Sequence, residues 1–219
     1  MQKESFVTPS PDAEASDPLP GVPVHPGWTS RGYLPHFDQP GLLQSLTFRL
    51  ADSLPQDQLR QLERELEQQP KTAQDLARRK RLESWLDAGM GCSALRHPQV
   101  AETLENSLFR FDGSRYRLLA WCIMPNHVHS LIEPITPLAG IVQSWKSYTG
   151  RWALAHNAEL RLGISGKAFW MRDYWDRFIR DGKHYHQVIH YIHQNPVKAG
   201  LCATPPAWPW SSARFPPEP

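Results

Sequence analysis

The chain has 219 residues and a mass of 25.1 kDa, enough for one domain with a real hydrophobic core and too few for two full domains. Apolar residues make up 40% and charged residues 21%, with nine Trp among them, which excludes a wholly disordered chain. Its longest purely apolar run, Leu118–Met124, falls far short of the roughly 20 residues a membrane-spanning helix needs, so no membrane partner is expected. The net charge is +2; Lys3 against Glu4, Asp12, Glu14 and Asp17 gives residues 1–26 a charge of −3, so +5 falls on the remainder. That excess is compatible with a nucleic-acid partner, although many metabolic enzymes are as basic.

Six of the 21 prolines lie in residues 1–26, among Ser, Asp and Ala, so residues 1–27 read as a disordered Pro-rich tail. The acids at the start and the prolines where an apolar core would be needed do not make a secretory signal, so a cytoplasmic, nucleoid-associated location is expected. Cys92, Cys122 and Cys202 are far apart and odd in number, which argues for packing roles rather than a disulfide framework or thiolate zinc site. A single domain is expected over 28–215. Alternation at Leu46, Phe48 and Leu50 predicts a first strand.

Residues 55–88 are rich in Gln, Leu, Glu and Arg and predict an inserted pair of helices broken at Gln69–Pro70, with no evident role. The basic run Arg78–Arg81 reads as a solvated helix face. A third helix is expected over Pro98–Phe109, with Val100, Leu104 and Leu108 on one side. Tyr116–Glu133 is the most strand-like stretch, and its two apolar arms around Pro125–Asn126 predict a hairpin or one bulged central strand. Leu138–His156 predicts a helix that buries Leu138, Ile141, Val142, Trp145, Thr149 and Trp152. A Gly-containing loop and a short aromatic, basic element follow, and a last helix over Lys183–Asn195 is expected to stop at Pro196. Strands interleaved with helices at uneven spacing indicate an α+β fold.

His127 and His129 are two apart in a strand, so both imidazoles leave one face and can hold one divalent cation. Alone, such a triplet is as easily a pair of surface or core histidines. Tyr191 and Asn195 lie four apart on the last helix, about 40° around its axis, and share a face. Beside a metal that polarises a phosphate, a Tyr hydroxyl can attack phosphorus. An Asn carbonyl oxygen suits a hard cation such as Mg²⁺ or Mn²⁺. The plainer alternative is a packing Tyr and an Asn that ends the helix.

In chain order, MPNHVHSLIEP (124–134), WKSYT (145–149), YWDRFIRD (174–181) and YIHQNPVKAGL (191–201) resemble the single-tyrosine HUH transposases. Within these they are most similar to the REP-associated tyrosine transposases, a bacterial group related to insertion-sequence transposases, over roughly Trp28–Arg214. The resemblance implies a ferredoxin-like antiparallel sheet with helices packed on it. It puts the histidine pair on a central strand and the catalytic Tyr on a C-terminal helix. It further implies His127, His129 and Asn195 as metal ligands and Tyr191 as nucleophile. The activity implied is metal-dependent cleavage and rejoining of single-stranded, hairpin-forming DNA through a 5′-phosphotyrosyl link, by a monomer or homodimer. Asn at 195 departs from the Gln common in the broader insertion-sequence group and agrees with the REP-associated branch.

Arg172, Arg177 and Arg180, set among Trp170, Tyr174, Trp175 and Phe178, have the composition of a single-strand surface, with His184 and Lys146 as further DNA contacts. The alternative has the aromatics in the core and the arginines paired with Asp173, Asp176 and Asp181. His186, His190 and His193 offer a rival metal site on one helix face, the basis of a metallohydrolase reading. Two further rivals remain: a nucleic-acid-binding protein without cleavage, and an HUH-type nicking enzyme for replication or transfer.

Overall fold

The computed structural model describes residues 25–30, 35–67 and 70–215, so the expected tail lies, for residues 1–24, outside the described residues. A four-stranded sheet carries the domain: β3 (Gln44–Arg49), β4 (Tyr116–Ile123), β5 (His127–Pro134) and β6 (Trp175–Phe178) stand in the order β4-β5-β3-β6. Every pair is antiparallel. With helices between β3 and β4 and between β5 and β6, this is the ferredoxin-like order, and β5 is an interior strand. Two short strands, β1 (Gly27–Ser30) and β2 (Pro35–Asp38), pair with each other. The sequence reading did not find them, because four-residue strands are too short to show a period.

Leu46, Phe48, Val128 and Ile132 point to one face, where α3 (Pro98–Phe109) and α4 (Leu138–Ala155) cover them in the main core. Trp145 Nε1 donates to Tyr116 Oη at 2.8 Å, and that hydroxyl donates to the Leu108 carbonyl at 2.7 Å. The buried polar atoms joining α3, β4 and α4 are thereby satisfied. On α4 the buried stripe runs through Ala153, while Trp152 is half-buried, packing against the main core and stacking on His156 at 4.2 Å. The hairpin and the bulge both occur: β4 shifts register between Leu118 and Ala120, so Leu118 faces the main core while Ala120 and Cys122 face the other side.

That other face holds α6 (Gly182–Lys198), which packs Val188, Ile189 and Ile192 against Ala120, Cys122 and Leu131. Asp181 caps it by accepting from the His184 N–H at 2.7 Å. Pro196 does not stop the helix. It lacks only the N–H that would have bonded one turn back, and the final turn still closes through Ala199 N–H to the Asn195 carbonyl at 3.0 Å. The broken helix pair is α1 (Gln56–Leu66) and α2 (Lys71–Asp87). Leu54, Leu62, Leu66, Leu82 and Leu86 give it a small core of its own, packed by Trp175 of β6. The C-terminal aromatics close the fold, with Trp208 Nε1 donating to the Ile123 carbonyl at 3.0 Å. Among the described residues no helix is long and apolar enough to cross a membrane.

Candidate active site

Register fixes what surrounds the histidines. His129 lies opposite Thr47 and Cys122, and His127 opposite Arg49, so all five side chains leave the α6 face of the sheet. Both imidazoles are buried, and their Nε2 atoms stand 2.9 Å apart. Two neighbouring ligands of a six-coordinate cation at about 2.1 Å are separated by about 3 Å, so this pair is spaced to share one ion. His127 is held well below the usual imidazole range by burial and by His129 beside it, and is therefore neutral, as a ligand must be.

The orientation of both rings is set by neighbours. Asn126 Nδ2 donates to the Met90 carbonyl at 2.9 Å, which fixes the amide and turns its Oδ1 to His127 Nδ1 at 2.7 Å. His127 must then carry its proton on Nδ1 and present a lone pair on Nε2. His129 Nδ1 lies 2.9 Å from Thr47 Oγ1, a hydroxyl able to donate or accept.

From α6, the Tyr191 ring stands edge-on to His129 with centroids 5.2 Å apart. Asn195 is fully buried, and neither its Oδ1 nor its Nδ2 has a hydrogen-bond partner. A buried amide with both ends unsatisfied costs about 1–3 kcal/mol per group, so something other than packing explains it. The structure thus brings His127, His129 and Tyr191 together, and Asn195 lies buried one turn further along the same helix as Tyr191.

It adds four that sequence reading missed. Asp87, the last residue of α2, places Oδ1 3.5 Å from His127 Nε2, and the ligand atoms of Asp87, His127 and His129 lie within 4.8 Å of one another. Burial and Glu83 push its carboxyl up to about 6, against the pull of Lys198. Lys198 sits 5.1 Å above the Tyr191 ring, and Thr47 and Asn126 orient the histidines. Asn126 was legible only as a turn residue, Thr47 as the polar half of an alternating strand and Asp87 as a helix end.

The basic residues fall into two places. Arg177 lies opposite Ser45 on the α6 face, and Arg180 and His184 follow at the start of α6. His184 Nδ1 accepts from the Arg180 N–H at 3.2 Å. Burial, then Arg177 and Arg180, lower its pKa, so it is a neutral imidazole with Nε2–H to donate. Lys146 and Arg172 instead line a groove beside α4, with Gln143, Ser147 and Tyr174. There Lys146 Nζ donates to the Arg172 carbonyl at 2.7 Å, and burial lowers it to about 8 although Asp173 opposes the shift. The aromatics of this stretch are largely packing groups: Trp170 is buried and donates to Thr149 Oγ1 at 2.9 Å, and Tyr174 stacks on His36 at 4.6 Å. Asp176 is engaged by His36 and by the Phe37 N–H. Of the rival helix histidines, His193 turns away to Ser212 Oγ at 2.8 Å. Among the described residues the converging group of ligand atoms is Asp87, His127 and His129.

Residues 97–195 match the family described as "Transposase IS200 like". The REP-associated tyrosine transposase of Escherichia coli (strain K12) is 25% identical over 112 residues, 51% of this chain and 63% of that protein. A putative REP-associated tyrosine transposase of Haemophilus influenzae is 27% identical over 104 residues, 44% of this chain and 58% of that protein. An uncharacterised protein of the same organism is 30% identical over 98 residues, 37% of this chain and 54% of its own length. The chain therefore spans 54–63% of the length of these curated relatives. The fold matches a solved REP-associated tyrosine transposase bound to a REP hairpin, with a TM-score of 0.52 and 18% identity over 84% of this chain and 82% of that one.

Proposed function

We propose, from the match of residues 97–195 to the IS200-like transposase family and the similarity to REP-associated tyrosine transposases, that this chain cleaves and rejoins single-stranded DNA next to a hairpin. The observation that carries the reading is a pair of Nε2 atoms 2.9 Å apart with the Tyr191 ring against His129, together with a buried amide without hydrogen-bond partners one helical turn from that Tyr. His127, His129 and Asn195 would hold a divalent cation, Mg²⁺ or Mn²⁺, which when bound draws charge from a phosphate oxygen. Tyr191 Oη attacks phosphorus, the P–O3′ bond breaks, and the departing O3′ takes up a proton as the phenol loses one. The product is a 5′-phosphotyrosyl link with a free 3′-hydroxyl. Attack by that hydroxyl or another reverses the exchange without a nucleotide cofactor, because one phosphodiester bond replaces another.

Lys198 over the Tyr191 ring supports the reading, since it sets a positive charge beside the proposed nucleophile, where a phosphate would approach. Arg177, Arg180 and His184 would hold the strand near the site, and Lys146 with Arg172 would hold phosphates in the groove beside α4. The test is covalent capture. Labelled hairpin DNA with a single-stranded flank is incubated with the protein and Mn²⁺, then run on a denaturing gel. The parent yields a slow protein–DNA band, and Tyr191→Phe yields none while still retarding the DNA on a native gel. An undiminished covalent band from Tyr191→Phe refutes the assignment. A parent that binds hairpins but never forms the band is a binding protein without cleavage.

A further inference from the structure

The α1–α2 pair sits in the connection between β3 and α3, holds a leucine core separate from the main one, and ends on Asp87 beside the histidines. Asp87 Oδ1 is a buried oxygen with no hydrogen-bond partner, aimed at the point on which both Nε2 atoms converge. Its backbone is not free to drift. Met90, three residues on, accepts from Asn126 Nδ2 while the same amide's Oδ1 meets His127 Nδ1, so one side chain ties the end of α2 to the first histidine. Gly91 follows with φ +72°, and a Cβ there would lie 2.4 Å from the Asp52 carbonyl oxygen. Only glycine lets the chain press this closely, with Cys92 N–H donating to that same oxygen at 2.8 Å.

We infer that Asp87 is a fourth protein ligand of the cation, and that the α1–α2 pair is an arm that delivers it. This rests on the metal centre of the proposed function and deepens it. Two imidazole nitrogens, the Asn195 carbonyl oxygen and one carboxylate oxygen form an N₂O₂ set. Held by these four groups, a hard divalent cation would still be open to a phosphate oxygen. The carboxylate also lowers the net charge of the loaded site from +2 to +1. An N₂O₂ set with a carboxylate is harder than two imidazoles and an amide alone, which favours Mg²⁺ and Mn²⁺ over Zn²⁺.

The test is Mn²⁺ binding to the full chain carrying Tyr191→Phe, read from the electron paramagnetic resonance signal of free Mn²⁺ so that no cleavage is needed. Asp87→Asn and Asp87→Ala are expected to weaken binding at least tenfold, and His127→Ala to abolish it. Glu83→Gln removes the same charge nearby without removing a ligand and is expected to change binding less than threefold. Thermal unfolding without metal checks each fold; Asp87→Asn should melt no lower than the parent, since Oδ1 makes no hydrogen bond to lose and burial and Glu83 disfavour its charge. If both Asp87 variants bind like the parent while His127→Ala does not, Asp87 is no ligand and the inference falls with the histidine site intact. If Glu83→Gln costs as much as Asp87→Asn, the effect is one of field and the inference also falls. If His127→Ala binds like the parent, the metal centre itself is refuted.

Discussion

Asn195→Leu separates what Asn195 does for the fold from what it does for the site. Leu has the same branch at Cγ, so it occupies the pocket with little change of shape, and both unsatisfied polar atoms disappear. Removing an unpaired buried polar group returns about 1–3 kcal/mol, and apolar replacement of the same shape adds no new orphan. At about 2–4 °C per kcal/mol for a chain of this size, the metal-free variant should melt roughly 2–12 °C above the metal-free parent. With Mn²⁺ at a hundred times its dissociation constant, the parent gains about 2.7 kcal/mol by mass action. The variant has lost a ligand and gains little, so the order of melting temperatures narrows or reverses. The assay is calorimetry of both proteins in chelator and in Mn²⁺. If the variant melts well below the parent in chelator, Asn195 is satisfied and structural, and the argument from its two unpaired atoms is wrong. Equal Mn²⁺-induced shifts in both proteins would likewise remove it from the ligand set.

His127→Ala and His129→Ala should each abolish cleavage and Mn²⁺ binding, whereas His190→Ala and His193→Ala should leave both within twofold; the opposite pattern in a calorimetric Mn²⁺ titration would move the metal to the helix. Gly91→Ala should cost about 2 kcal/mol or more in urea unfolding, from the left-handed φ together with a backbone clash, and a loss under about 0.5 kcal/mol would show that the loop can shift. Lys146 is cationic below a pKa of about 8 and neutral above it, so single-strand affinity should fall as pH rises from 7 to 9 in the parent, but not in Lys146→Arg, whose guanidinium stays charged. Parallel pH profiles for the two proteins would take Lys146 out of the DNA surface. The same lowered pKa means folding disfavours the protonated amine, so stability itself should rise over that pH window rather than fall.

What the sequence disclosed was whatever has a period or a fixed offset. The i, i+2 spacing of His127 and His129 and the i, i+4 spacing of Tyr191 and Asn195 each place two groups on one face. The alternation of Leu46, Phe48 and Leu50 names the core side of β3 and, by subtraction, puts Thr47 and Arg49 on the side of the histidines. Long-range pairing has no such signature. Asp87 is 40 residues from His127 in the chain, and only the strand order and the tight return at Gly91 bring the two together. Pro196 misled because the rule against proline concerns the hydrogen bond it lacks. Near a helix end that loss is small, and the retained turn is what carries Lys198 to Tyr191.

The proton inventory of the histidine pair ties these pieces to one another. With Asn126 turned by the Met90 carbonyl, His127 keeps its proton on Nδ1 and can only accept at Nε2. A 2.9 Å approach of His129 Nε2 is then a hydrogen bond if His129 carries its proton there, and Nδ1 accepts from the Thr47 hydroxyl. For both Nε2 atoms to face one cation, the His129 proton must sit on Nδ1 instead and donate to Thr47. A hydroxyl is the group that serves both tautomers by rotating about one bond; a carboxylate would favour only the second and a backbone N–H only the first. Thr47 therefore lets the site be satisfied with and without its ion, and no net proton need leave the pair as the ion enters. Asn195 and Asp87 have no such second arrangement, which is why their atoms without hydrogen-bond partners, rather than the histidines, carry the argument for an ion in the proposed site.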